Sequence, residues 1–225
     1  MHHSIKEFWE IDHSKRTIDK DASNYSAEKE KLFQRHSRVL DLGGGRGADA
    51  VYFAKQGHTV VLADISDKAL AMALERAKRD GIDIETRQVT LGTDLLPFED
   101  NYFDVVYSRL ALHYFDPNAT KSIFKEIFRV LKHGGKGYLT LKSPLDSEEM
   151  AFLSKNAKQI SNNVFEEEGM TKSRYSRDQL IEMITQVGIL KYSINEINED
   201  LINKIDTAKS GKKAFILNEV ILTKE

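Results

Sequence analysis

Residues 38–64 open with Arg38-Val-Leu-Asp-Leu-Gly-Gly-Gly-Arg-Gly-Ala48 and close with Thr59-Val-Val-Leu-Ala-Asp64. Arg38 to Leu42 reads as a short buried strand that runs straight into the glycines at 43, 44, 45 and 47. Thr59 to Ala63 reads as a second strand after a segment of helical length. The unit is strand, glycine turn, helix, strand. Such a turn points backbone N–H groups at a ligand and lets it approach closely, so nucleotide-type ligands use it often.

Moving outward, the same alternation continues. Ser66 stands where an N-cap belongs, Leu70, Ala73, Leu74 and Ala77 recur at helical spacing, and Gly81 suits a left-handed C-cap. A third strand is expected around Ile84 to Val89 and a fourth at Tyr102 to Tyr107. Ile123, Phe124, Ile127, Phe128 and Leu131 form the apolar face of the next helix, and Gly134, Gly135 and Gly137 are expected to end it before a fifth strand, Tyr138 to Leu141. Strands alternating with amphipathic helices imply an α/β, doubly wound, mostly parallel sheet with both faces covered. Residues 1–35 read as one or two helices lying over the sheet, with Phe8, Trp9 and Tyr25 as packing residues. Residues 145–176 are polar and read as an insertion, partly helical at Met150 to Ile160. A helix at Asp178 to Val187 and strands near Tyr192 to Ile197 and Ala214 to Leu222 follow, joined by a lysine-rich connection at 204–213. The whole reads as one domain: an N-terminal cover (1–35), a core (36–142), an insertion or lid (145–176) and a C-terminal helix and strands (177–225).

Composition narrows the function. The chain has 225 residues, and 33 Lys+Arg against 35 Asp+Glu give a formal charge of -2. Near-neutral balance argues against a broad nucleic-acid footprint and favours a small-molecule partner. The absence of cysteine excludes disulfides, thiolate-bound zinc, iron–sulfur clusters and a cysteine nucleophile, and suits the cytoplasm. Apolar runs are short and broken by charges, so neither a membrane span nor a signal peptide is expected.

Gly43, Gly45 and Ala48 satisfy the permissive dinucleotide pattern G-x-G-x-x-G/A, so an NAD-dependent oxidoreductase is one candidate. Asp41 argues against it. A carboxylate two residues before the first glycine lies beside the place a pyrophosphate would take, and like charges in a partly buried cleft are costly. It favours a ligand that carries positive charge there. Asp64, at the end of the second strand, stands where an acidic side chain accepts hydrogen bonds from ribose hydroxyls. The ligand is then a nucleoside with a cationic appendage, a description that S-adenosylmethionine fits.

At this point the chain resembles a known family. Val39-Leu-Asp-Leu-Gly-Gly-Gly-Arg-Gly47, Asp64-Ile65, Leu96-Pro-Phe98 with Asn101-Tyr-Phe-Asp-Val-Val106, and Phe128-Arg-Val-Leu-Lys-His-Gly-Gly135 look like the ordered motifs of class I S-adenosylmethionine-dependent methyltransferases over about residues 36–142. Ser108 to Phe115 adds a likeness to small bacterial enzymes compared with tellurite-resistance and quinone-pathway methyltransferases. The resemblance implies a Rossmann-like seven-stranded sheet whose last strand is antiparallel. It also implies roles: Asp41 and the backbone of Gly43, Gly44, Gly45 and Gly47 for the methionine portion, Asp64 for the ribose diol, Ile65 for adenine, and carbonyls near Ser108 and Arg109 for the ammonium group. Many relatives place an aspartate after the third strand to reach the adenine amino group. Here Thr90-Leu-Gly-Thr-Asp94 intervenes, and the adenine edge is assigned to the loop at Thr90 and Leu91.

Methyl transfer from a sulfonium is an in-line displacement, so the protein mainly aligns and excludes water. Catalytic candidates are His113 and Tyr114, with Lys142, Ser143 and Tyr175 behind them; no metal is called for. No cysteine and no Asp/Asn-Pro-Pro-aromatic motif point away from nucleic-acid methylation and toward a small-molecule acceptor. A catalytically silent S-adenosylmethionine-binding partner would carry the same pocket. The 1–35 and 145–176 segments are expected to order over the cleft on binding.

Overall fold

The computed structural model describes residues 4–15, 21–93, 95–200 and 214–225. Asp94 and the lysine-rich connection at 204–213 lie outside these described residues, as do parts of the N-terminal cover. Two N-terminal helices, α1 (Ile5–Lys15) and α2 (Asn24–Glu30), precede the alternating core. The core runs β1 (Arg38–Leu42), α3 (Ala48–Lys55), β2 (Thr59–Asp64), α4 (Asp67–Arg79), β3 (Glu85–Gln88), β4 (Phe103–Arg109), α5 (Pro117–Val130) and β5 (Leu131–Lys142). Then come α6 (Ser147–Asn156), β6 (Lys158–Ser161), β7 (Val164–Glu167), β8 (Met170–Ser173), α7 (Arg177–Gln186), β9 (Tyr192–Asp200) and β10 (Ala214–Thr223).

Seven strands form one sheet in the order β3-β2-β1-β4-β5-β10-β9. The β1, β2, β3, β4 and β5 pairings are parallel, whereas β10 runs antiparallel to both β5 and β9. The doubly wound sheet with a reversed last strand therefore stands as the sequence implied. β1 shows why both faces are covered. Leu40 and Leu42 join the cluster capped by α5 (Ile123, Phe124, Ile127) and α7 (Leu180, Ile184), while Val39 joins the opposite cluster with Phe53 of α3 and Ala73 of α4. Each such fully buried side chain stabilises the fold by roughly 1.5–3 kcal/mol relative to exposure.

Local chemistry sets the ends. Ser66 accepts the Ala69 N–H and caps α4, and Asp116 accepts from Asn118 and Ala119 to start α5, with Pro117 in its first turn. Two motifs that carried the family resemblance prove to be one structural clasp. The Arg129 guanidinium donates to the Phe98 carbonyl at 2.8 Å and the Leu96 carbonyl at 2.9 Å, and Glu126 accepts the Leu96 N–H at 2.8 Å. The Leu-Pro-Phe turn is thus tied to the end of α5.

Two expectations need correction. The glycines at 134, 135 and 137 do not end α5, which stops at Val130; they lie inside β5. The register of β4 against β5 shifts between Phe103 and Val105, so residues 132–135 bulge, with Gly134 at φ +80° and its N–H on the Lys224 carbonyl. The 145–176 insertion is helical only to Asn156. After that comes a three-stranded antiparallel sheet, β6-β7-β8, in which Val164, Phe165 and Met170 are buried. Alternation over strands of four residues is too short a signal to separate from loop.

Candidate functional site

The carboxyl ends of β1, β2, β4 and β5 open into one cleft of about 880 Å³, where open α/β sheets place their ligands. Gly43, Gly44 and Gly45 line it beneath α1. A side chain at Gly44 would run into the Asp41 carboxylate and lie 2.5 Å from Leu62 Cδ1, so the backbone can pass there only without one. Gly45 has φ +55°, and its α-carbon faces the His13 ring of α1. Gly47 does not line the cleft; it lies against Ala73, where it lets α3 pack on α4.

Asp41 is 1% exposed at the end of β1, and its Oδ2 makes no hydrogen bond among the described residues. Burial pushes its carboxyl well above the usual range. Asp49 and Asp64 add to the push, and Arg109 opposes it. Asp64 lies on the cleft with both oxygens engaged: Oδ2 accepts the Gly45 N–H at 2.8 Å and Oδ1 the Ser66 N–H at 3.0 Å. Asp49, in the first turn of α3, accepts from Ser23 and from the Tyr107 hydroxyl at 2.8 Å, and lies 3.7 Å from the Arg109 guanidinium. The glycine-loop end of the cleft is therefore rich in carboxylates.

The other wall is aromatic and histidine-bearing. Leu110 turns the chain out of β4 at φ +56°, with its N–H held by Thr140, and sends residues 111–115 across the opening. His113 is 1% exposed and borders the cleft, and its Nδ1 is without a hydrogen bond among the described residues. Burial lowers the imidazole pKa well below its ordinary value, and the positive charges of Arg174, Lys142 and Lys172 lower it further, so the ring is neutral. Tyr114 meets Trp9 of α1 edge to face, with ring centroids 4.9 Å apart. Ile65, Thr90, Leu91, Arg109 and Lys142 also border the cleft.

Three candidates lie elsewhere. Ser108 is buried with its hydroxyl on the Leu42 carbonyl, Ser143 is buried and accepts the Leu145 N–H, and Tyr175 is buried with its hydroxyl on the Phe115 carbonyl. None of these side chains reaches the cleft. Sequence reasoning missed Asp49, His13 and Thr171, which do border it, and read Trp9 and Tyr25 as packing only. Asp49 could have been found as the acid two residues past the last glycine of the turn.

A family profile described as "Methyltransferase domain" matches residues 39–135. The ubiquinone/menaquinone biosynthesis C-methyltransferase UbiE of Serratia proteamaculans is 40% identical over 109 residues, covering 46% of this chain and 41% of the relative. The chain thus spans less than half the length of the curated relatives it matches. Among solved structures, a SAM-dependent methyltransferase from Methanosarcina mazei matches with a TM-score of 0.69 at 20% identity over 91% of this chain and 99% of its own. Phosphoethanolamine N-methyltransferase 2 of Haemonchus contortus, solved in complex with S-adenosyl-L-methionine, matches with a TM-score of 0.68 at 19% identity over 96% of this chain and 56% of its own. Residues 39–135 thus match a methyltransferase domain, and the chain shares the fold of these S-adenosylmethionine-dependent methyltransferase structures.

Proposed function

We propose that the protein binds S-adenosylmethionine in this cleft and transfers its methyl group to a small-molecule acceptor. The observation that carries the reading is the buried, unpartnered Oδ2 of Asp41 beside a glycine loop that only bare backbone can form. A polyphosphate cannot share that place with a buried carboxylate, whereas an ammonium and a sulfonium nearby would relieve it. The reversed β10 also sets the sheet apart from the all-parallel order of dinucleotide dehydrogenases.

When bound, the cofactor supplies the electrophilic methyl and its own leaving group. Asp41, the backbone of Gly43 to Gly45 and the carbonyls near Ser108 and Arg109 would hold the methionine portion, with Gly47 fixing the loop from behind. Asp64 would take the ribose diol, Ile65 would pack on adenine, and Thr90 and Leu91 would border its edge. His113, neutral and with a free ring nitrogen, would accept a proton from an acceptor that carries one, and Tyr114 would orient it. Trp9 and His13 of α1, with Thr171 of β8, would keep water out; in this reading 1–35 and 145–176 are the covers of a single methyltransferase domain. The cysteine-free, charge-balanced sequence supports a cytoplasmic place and a metabolite rather than nucleic acid as acceptor.

Calorimetry with S-adenosylhomocysteine and with NADH tests the cofactor. Binding of the first and not the second is expected, and the reverse sinks the proposal. Transfer of labelled methyl into metabolite fractions tests the activity. Tight cofactor binding with no transfer to any fraction would favour a silent binding partner instead.

A further inference from the structure

Three charged groups meet at the insertion side of the cleft. Lys142, at the end of β5, donates to Glu149 Oε1 at 2.6 Å, and Arg174, just past β8, donates to the same oxygen at 2.5 Å. The side chains are 16%, 2% and 13% exposed for Lys142, Arg174 and Glu149. Two cations thus share one carboxylate oxygen in a largely desolvated place, with the buried Asp146 capping α6 beside them through the Glu149 N–H. Lys172 cancels locally against Glu167, and His113 adds nothing because it is neutral. Burying charge without full pairing is costly and persists where function needs it.

Lys142 is the member of this group that borders the cleft. Its ammonium spends one N–H on Glu149 and lies 4.4 Å from the centre of the Phe215 ring, itself on the cleft wall. Among the described residues its other two N–H groups have no hydrogen-bond acceptor, and a ligand can take them. Asp21, Arg46, Arg76 and Asp116 also line the cleft. Glu28 and Glu219 both meet Lys29, at 2.9 and 2.6 Å, while Asp41, Asp49 and Asp64 face Arg109 and the glycine loop. The glycine-loop end of the cleft thus mixes Asp41, Asp49 and Asp64 with Arg46 and Arg109, the insertion side carries the Lys142 ammonium, and His113 and the rings of Trp9, Tyr114 and Phe215 also line it.

We infer that the methyl acceptor is a small, flat molecule bearing a carboxylate-like anionic group, and that Lys142 receives this group beside Phe215. This rests on the methyltransferase reading for the word acceptor, but the anion preference of the cleft stands by itself. An anion here takes up the N–H groups of Lys142 that Glu149 leaves and fixes the molecule at one end, leaving its other end toward His113.

Trp9 is the single tryptophan of the chain and borders the cleft, so its fluorescence reports occupancy. The full chain is titrated with benzoate and with its neutral isostere benzamide, with and without saturating S-adenosylhomocysteine. Benzoate should bind at least about tenfold more tightly, since a charge-assisted hydrogen bond contributes about 1.5–3 kcal/mol. Lys142→Met should erase the preference and Lys142→Arg should keep it, while both variants bind S-adenosylhomocysteine like the wild type. Equal affinity for the two probes, no response to benzoate, or a preference that survives in Lys142→Met overturns the inference. Failure of the wild type to bind S-adenosylhomocysteine overturns the methyltransferase reading instead, and the titration without it still reads the anion site.

Discussion

The carboxylate of Asp64 accepts the backbone N–H of Gly45 at 2.8 Å, so the acid at the end of β2 braces the glycine loop that follows β1. Its other oxygen holds the Ser66 N–H at the start of α4. One side chain thus fixes the loop, caps the approach to a helix and borders the cleft. Asp64→Ala leaves two buried N–H groups unpaired, each costing about 1–3 kcal/mol. Thermal melts should show a clear loss for Asp64→Ala and a smaller one for Asp64→Asn, which keeps an acceptor oxygen. Both should weaken S-adenosylhomocysteine binding. A wild-type melting temperature for Asp64→Ala would mean that the brace does not hold the loop.

Asp41 carries the opposite relation between stability and binding. Its folded pKa lies above its unfolded value of 3.8, so its contribution to stability is present below that value and is lost as pH rises through the folded one. At neutral pH the buried carboxyl therefore destabilises the empty protein. Asp41→Asn should therefore raise the melting temperature at pH 7, with the gain shrinking toward pH 4. The same change should weaken S-adenosylhomocysteine binding by about tenfold to a hundredfold, because a charge-assisted contact is lost. A variant that is less stable at pH 7, or binds unchanged, would contradict the assigned pocket.

The parallel core and the glycine turn were legible because β1 and β2 are continuous apolar runs and the turn leaves no room for side chains. The glycine-loop end of the cleft was legible for the same reason, since Asp41, Asp64 and the glycines are neighbours in sequence or follow successive strands. The opposite end was not. Lys142, Glu149, Arg174 and His113 come from four separate elements, and their meeting depends on how α6 and β8 return to the sheet. Trp9 was read as packing because a lone aromatic in a polar helix carries no period, yet α1 brings it to Tyr114 on the cleft.

Helix α1 is latched through Glu10, which accepts the Asp67 N–H at 2.8 Å and the Lys68 N–H at 3.3 Å at the start of α4, with Lys6 paired to Asp67 at 2.6 Å. A lost N-cap contact is worth about 1 kcal/mol, roughly a fivefold change in opening. Hydrogen exchange of residues 5–15 should accelerate by about that factor in Glu10→Ala, and S-adenosylhomocysteine should slow it in the wild type. Unchanged exchange in both comparisons would remove α1 from its role as a cover.

His113 gives a pH signature. Its folded pKa lies below its unfolded value of 6.5, so the neutral ring's contribution to stability is complete above that value. It is lost as pH falls from there toward the folded value, where the buried ring must gain charge beside Arg174 and Lys142. The wild type should lose melting temperature between pH 7 and pH 5, and His113→Asn should lose less. Above pH 6.5 the methyl-transfer rate should show no step from this residue. Parallel curves for the two proteins would mean that protonation of the ring is not the cause.

Glu149 decides whether the cationic end of the cleft can exist at all. Against the upward push of burial, Lys142 and Arg174 hold its carboxyl below the ordinary value of 4.5. Its stabilisation is therefore present above that value and lost as pH falls through the folded one. Glu149→Gln removes the carboxylate that Lys142 and Arg174 share, and breaking a buried pair in this way costs about 3–5 kcal/mol. For a chain of this size that corresponds to roughly 6–20 °C in melting temperature at pH 7. The loss should be partly recovered by benzoate, which supplies the missing negative charge at Lys142, and not by benzamide. A stable Glu149→Gln with no such recovery would show that Lys142 and Arg174 disperse their charge to solvent rather than into the cleft.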